Sequence, residues 1–223
     1  MQKVRIWDLP TRVFHGALIV AVIGALVSQA LGEAAMVWHF YFGYTALSLV
    51  LFRIIWGVVG SRYARFASFV RGPGAVLRYL CGASKASTSG ADGLGHNPLG
   101  GWSVMAMLLV VLIQASSGLF ANDDIATEGP LAQFIAKDLS DQISWVHAQV
   151  TGNLIYALIA LHVLAIAHHR WRHRVDLITP MITGDKTAND AALAVNDSGR
   201  LRALAMVVMS LCAMAVYGLV QWR

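Results

Sequence analysis

Five runs of apolar residues punctuate the chain, each roughly 18 residues or longer, and each predicts a helix that crosses a bilayer. They lie near Val13 to Leu31, Val37 to Val59, Gly101 to Phe120, Ile143 to Ala167 and Ala203 to Val220. Backbone amides in lipid have no water to bond, so such segments satisfy themselves as helices. The expected fold class is all-α, an integral membrane bundle. The first four helices are read as a core within residues 1–184, and residues 185–223 as a flexible linker and a fifth transmembrane helix. No internal repeat is evident.

Between the spans the pattern changes. Arg62 to Leu80 mixes arginines with Tyr63, Phe66, Phe69, Val70, Leu77 and Tyr79, interrupted by Gly72-Pro73-Gly74. This predicts one or two short amphipathic helices on the inner membrane surface. Ser84 to Gly95 is rich in Gly, Ser and Ala and reads as mobile, 121–140 as the main outer loop, and 184–199 as a flexible inner linker. Met1 to Pro10 is polar and lacks a small-residue cleavage signature, so the first apolar run is expected to remain a membrane helix.

Composition agrees with lipid as the main solvent. The chain is 57% hydrophobic and 13% charged, against roughly 25% charged in soluble domains. The net charge of +5 has a positional explanation that needs no nucleic-acid partner. Of 17 Lys and Arg residues, 15 fall in the N-terminus, in the inner end of helix two (Arg53) and in the segments that follow helices two and four. Only Lys137 and Arg223 fall on the other side, with Glu33, Asp123, Asp124, Glu128, Asp138 and Asp141. The positive-inside rule then puts the N-terminus in the cytoplasm and the C-terminus outside. Cys81 and Cys212 are far apart and there is no C-x-x-C-H, which excludes c-type haem attachment and a disulfide framework.

Histidine within a span is costly and usually functional. His15 lies near the inner start of helix one, His39 near the outer start of helix two, and His147 near the outer start of helix four. His162 stands 15 residues beyond His147, about 22 Å lower at 1.5 Å per residue and roughly 60° past four full turns. Depth therefore sorts the four into an outer pair, His39 with His147, and an inner pair, His15 with His162. Facing imidazoles from separate helices make axial pairs for iron porphyrins; two pairs at two depths imply two b-type haems. Gly16, Gly43 and Gly152 sit near these ligands, where a missing side chain leaves room for a porphyrin or simply for close helix packing. A zinc site would gather three or four ligands at one level, which this layout does not do. His96, in Gly95-His96-Asn97-Pro98, has several roles open to it: capping helix three, approaching a propionate, lining a quinone pocket, or replacing His162 as the partner of His15. His168, His169 and His173 stand among Arg170, Arg172 and Arg174 and read as a membrane-surface anchor. Arg12, Arg53 and Arg62 suit the carboxylates of haem propionates, with the positive-inside bias alone as the alternative for each and the favoured one for Arg62.

At these residues the chain resembles the bacterial cytochrome b561 family and the b-type cytochrome subunit of membrane-bound nickel–iron hydrogenases. The matching stretches are W-D-L-P-T-R-V-F-H at 7–15, R-I-I-W-G-V-V-G-S-R-Y-A-R-F at 53–66, G-H-N-P-L-G at 95–100, A-L-H-V-L at 160–164 and M-I-T-G at 181–184. The resemblance implies a four-helix core with two haems on His15, His39, His147 and His162, in a bacterial inner membrane, with quinone as one redox partner. In that family the two helix-four histidines usually stand one residue closer together than here; a local helix irregularity would absorb the difference.

The expected function is transmembrane electron transfer between a quinone pool and a periplasmic partner, such as a cytochrome c, a hydrogenase or another dehydrogenase subunit. No catalytic residue is assigned, and an electron carrier and an oxidoreductase subunit are both open. One alternative is an obligate membrane anchor of a nickel–iron hydrogenase or other respiratory dehydrogenase. Another, a proton-coupled transporter, lacks the broken-helix repeats expected of one.

Overall fold

The computed structural model describes residues 2–81, 94–125, 127–188 and 194–221. Most of the stretch read as mobile, with Lys85, lies outside them, as do residues 189–193 of the expected linker and Arg223. In chain order the elements are β1 (Gln2–Arg5), α1 (Leu9–Ala30), α2 (Met36–Val59), α3 (Phe66–Phe69), α4 (Pro73–Leu80), α5 (Pro98–Gly118), α6 (Lys137–Trp145), α7 (Gly152–Arg172), α8 (Ile178–Thr183), β2 (Asp185–Ala188) and α9 (Gly199–Gln221). A 3-10 turn, Glu33–Ala35, leads into α2, and a π-turn, Val146–Thr151, joins α6 to α7. Among the described residues, five helical segments are long and apolar enough to cross a membrane: Leu9–Ala30, Glu33–Val59, Pro98–Gly118, Lys137–Arg172 and Gly199–Gln221. These are the five expected spans. Large side chains such as Val20, Leu161 and Tyr217 stand exposed along them, as suits helices whose outer solvent is hydrocarbon.

The helix ends differ from the apolar runs because caps set them. α1 starts four residues before Val13, where Asp8 Oδ1 accepts the Thr11 N–H at 2.7 Å and Pro10 occupies the first turn. α5 starts at Pro98, where Asn97 Oδ1 accepts the Gly100 N–H at 2.6 Å. The fourth span runs from Lys137 to Arg172, so the helix begins inside the segment expected to be outer loop. The Arg62 to Leu80 stretch does form two short helices, α3 and α4, divided before Pro73 with Gly72 as N-cap.

The chain divides into two compact units, each assembled from separated segments. The first comprises Met1–Val13, Arg53–Ala106 and Leu161–Met206. It holds a two-stranded antiparallel sheet that the sequence reading missed, since four-residue strands are too short to show a period. Gln2 pairs with Ala188, and Arg5 with Asp185. The linker expected over 184–199 thus opens with an ordered strand. Gly184, at φ +90°, turns the chain out of α8, and its carbonyl accepts the N–H groups of Ile6 and Trp7 at 2.8 and 3.1 Å. A Cβ there would lie 2.7 Å from the Trp7 carbonyl oxygen, so glycine is needed on both counts. Val4, Ile6, Trp7, Tyr63 and Val195 close over the sheet as one buried cluster. Arg5 Nε lies 2.6 Å from Asp185 Oδ1 and its NH1 3.1 Å from Asp197 Oδ2.

The second unit comprises Phe14–Phe52, Met107–Ala160 and Val207–Arg223. Its core cluster is Leu47, Leu119 and Val216, flanked by Tyr44, Leu112 and Phe120. The loop between α5 and α6 is tied to α6: Asn122 Nδ2 donates to Ser140 Oγ at 2.6 Å, and Ser140 Oγ donates to the Phe120 carbonyl at 2.7 Å.

Candidate functional site

In the second unit, His39 and His147 come together. Their ring centres are 6.2 Å apart and their planes 81° from parallel. His39 is the fourth residue of α2, and its Nδ1 lies 2.9 Å from the Ala25 carbonyl oxygen of α1. A carbonyl only accepts, so Nδ1 is the donor in this contact, which leaves Nε2 as the ring atom available to a metal. His147 shows the same arrangement, with Nδ1 3.0 Å from the Gln114 carbonyl oxygen and 3.1 Å from Ser117 Oγ. Its Nε2 lies 3.1 Å from the Gln114 side-chain nitrogen, which is the contact a metal at that lone pair displaces. Fixing the imidazole tautomer through Nδ1 is how proteins prepare a histidine ligand. Two imidazoles on opposite sides of one metal, each bonded at about 2 Å, have ring centres roughly 6 Å apart. The centre-to-centre spacing of the pair matches that of two imidazoles sharing one iron.

The helix around His147 is not α-helical. The π-turn Val146–Thr151 encloses it, and such a turn takes in one residue more than an α-helical turn. This is the irregularity expected from the 15-residue spacing. Thr151 Oγ1 holds the turn by contacting the Gln114 side-chain oxygen and the Val146 carbonyl.

The glycines answer differently. A Cβ at Gly16 or Gly43 would meet nothing within 4 Å; Gly16 is exposed and Gly43 half-buried. At Gly152 it would meet the carbonyl of His147 at 3.2 Å, so that glycine gives clearance to the π-turn of its own helix. Gly118, which the sequence reading passed over, matters more: a Cβ there would sit 2.9 Å from Cε1 of His147. Ser117 and Gln114 were missed too, because serine and glutamine inside an apolar run carry no ligand signature.

His15 belongs to this second unit, seven residues into α1, and is half-buried. His162, half-buried in α7, belongs to the first unit. There it acts electrostatically on His96, as do Arg53 and Lys186. The His96 ring sits edge-on to Trp7 at 4.9 Å and tilted against Phe69 at 4.6 Å. Burial, reinforced by the positive charge of Arg53 and Lys186 and by His162, pushes its pKa down to about 4, so the ring is neutral near pH 7. Its Nδ1 is buried without a hydrogen-bond partner.

Two arginines of the first unit also hold unused donors. Arg53 is 3% exposed, with its guanidinium 4.9 Å above the Phe66 ring and NH1 buried without a partner. Arg12 donates from NH1 to the Ile182 carbonyl at 2.6 Å, while its Nε is buried and unpartnered. Buried donors are normally satisfied, and guanidinium forks match carboxylates, so both fit a propionate-bearing group. Asp8, fully buried, accepts from Trp56 Nε1 at 3.2 Å and offsets the Arg53 charge. Arg62 is exposed. His168, His169 and His173 cluster with ring centres 5.2 to 5.9 Å apart; among the described residues, no group of three or more His, Cys, Asp or Glu is arranged to hold a metal ion.

The model of the prokaryotic cytochrome b561 family matches residues 6–184. No curated protein and no solved structure matches the chain.

Proposed function

The chain belongs to the prokaryotic cytochrome b561 family, a family of membrane b-type cytochromes, and from that premise we propose that it carries two haems and passes electrons across the bacterial inner membrane between the quinone pool and a periplasmic redox partner. His39 and His147 are the axial ligands of one haem; the family resemblance and their depth along the helices in the sequence assign His15 and His162 to the other. Each haem, when bound, supplies a one-electron ferric–ferrous couple.

The chain's own residues do the rest. Ala25 and Gln114 carbonyls hold the Nδ1 protons of His39 and His147, so both rings offer Nε2. The long apolar spans exclude water from the ligands. Arg12 Nε and Arg53 NH1 are donors for propionate carboxylates. His96, neutral and with a free Nδ1, is placed to hydrogen-bond a quinone oxygen or a propionate. The charge asymmetry supports an inner location for the N-terminus.

The observation that carries this reading is the His39–His147 pair at 6.2 Å. It is tested by reconstituting the haem-loaded protein in liposomes that enclose ferricyanide and adding a membrane-soluble quinol outside. Reduction of the enclosed ferricyanide that depends on the protein supports the proposal. No reduction beyond that of protein-free liposomes contradicts it.

A further inference from the structure

The last turn of α5 carries a group that the ligand reading leaves unused. Ser117 Oγ donates its only proton to the Gln114 carbonyl at 3.0 Å. A lone pair is thereby left facing His147 Nδ1 at 3.1 Å. The His147 N–H is shared between two acceptors, the Gln114 carbonyl and the Ser117 hydroxyl. On the opposite ligand, Ser28 Oγ donates to the Gly24 carbonyl at 2.7 Å, with the Ala25 carbonyl that holds the ring a longer second acceptor at 3.1 Å. There the carbonyl is the only acceptor within hydrogen-bond range of Nδ1 among the described contacts.

We infer that Ser117 is a positioning residue for His147, setting the electron donation of that ligand to its iron and so the potential of that haem; this rests on His147 being an axial ligand. An acceptor on Nδ1–H makes the imidazole a stronger donor through Nε2. Stronger donation favours ferric over ferrous iron. Neighbouring groups hold Ser117 in register. The Gln114 side chain is pinned by Thr151, and Gly118 gives the ring the clearance it needs. The residue count of the π-turn delivers the ring to this seat; Ser117 tunes it once there.

The experiment uses purified haem-loaded protein with Ser117→Ala, Ser117→Thr and His147→Ala, measuring haem content and a potentiometric titration of the visible band. The expected result is unchanged haem content in Ser117→Ala, with one of the two redox waves moved to a more positive potential and the other unmoved. Ser117→Thr, which keeps the hydroxyl, returns that wave toward its original position. An unmoved wave in Ser117→Ala, with haem lost in His147→Ala, overturns the role of Ser117 alone. Full haem content in His147→Ala overturns the ligand reading beneath it.

Discussion

The imidazole planes of His39 and His147 cross at 81°. Rings crossed this way donate into different iron dπ orbitals and leave those orbitals nearly equal in energy. With both rings as ligands of one haem, as proposed, the ferric protein is expected to show a highly anisotropic low-spin EPR signal. A rhombic signal, the mark of near-parallel rings, would mean that one ring turns when the haem binds. Gly118→Ala places a methyl against His147 Cε1, where a Cβ lies at 2.9 Å. Its expected effects are an altered EPR signal and a stability cost of about 1–3 kcal/mol, as for other overpacked sites.

The π-turn at Val146–Thr151 predicts the outcome of a deletion. A single inserted residue is what such a turn accommodates. Removing Ala148 should therefore convert the turn to α-helix while the helix on either side keeps its frame. Haem content measured by pyridine haemochrome is expected to survive the deletion. Were the turn merely frayed helix, the same deletion would rotate His147 about 100° away from His39, and one haem would be lost.

Arg53 offers a prediction through charge. It is almost fully buried with an unused donor. Positive charge near a haem favours the ferrous state, so Arg53→Gln should move one redox wave negative, by about 1 kcal/mol or more for a partly screened charge. The same change leaves the buried Asp8 without its offsetting cation, and a lower melting temperature is expected alongside.

The sheet gives a pH dependence. Burial pushes the Asp197 carboxyl up, but the Arg202 guanidinium, the Leu9 backbone N–H and the charge of Arg5 together outweigh it and hold the group below the ordinary carboxylate range. A depressed folded-state pKa contributes stability that is complete above the unfolded value and lost as pH falls through the folded one. The latch is thus intact at neutral pH and opens under acid. Hydrogen exchange at Val195, whose N–H bonds the Arg5 carbonyl at 2.8 Å, should speed up relative to its intrinsic rate below that range. Asp197→Asn should show the same loss at neutral pH, worth roughly 1.5–3 kcal/mol for a charge-assisted bond.

How much of this was legible beforehand depends on the range of the signal. The five spans were readable because hydropathy acts over some twenty residues at a time. His39 and His147 were readable as partners because helical rise converts sequence separation into depth. Even the odd spacing on the fourth span announced a disturbance, and the π-turn is where it falls. Helix starts were misjudged at Leu9 and Pro98 because Asp8 and Asn97 act through single hydrogen bonds, outside any apolar run. Ser117, Gln114 and Gly118 left no trace for a related reason. Their importance comes from a ring brought against them by another helix, 29 or more residues further along the chain. The pairing of residues 2–5 with 185–188 spans nearly the whole chain and has no local signature at all.

Haem stoichiometry is the most direct measurement of all. Pyridine haemochrome analysis of the purified protein against its amino-acid content should give a ratio of about two, and His39→Ala should bring it to about one, since an iron held by one imidazole binds far more weakly. A His39→Ala protein that keeps its full haem content and an unaltered low-spin spectrum would contradict the account.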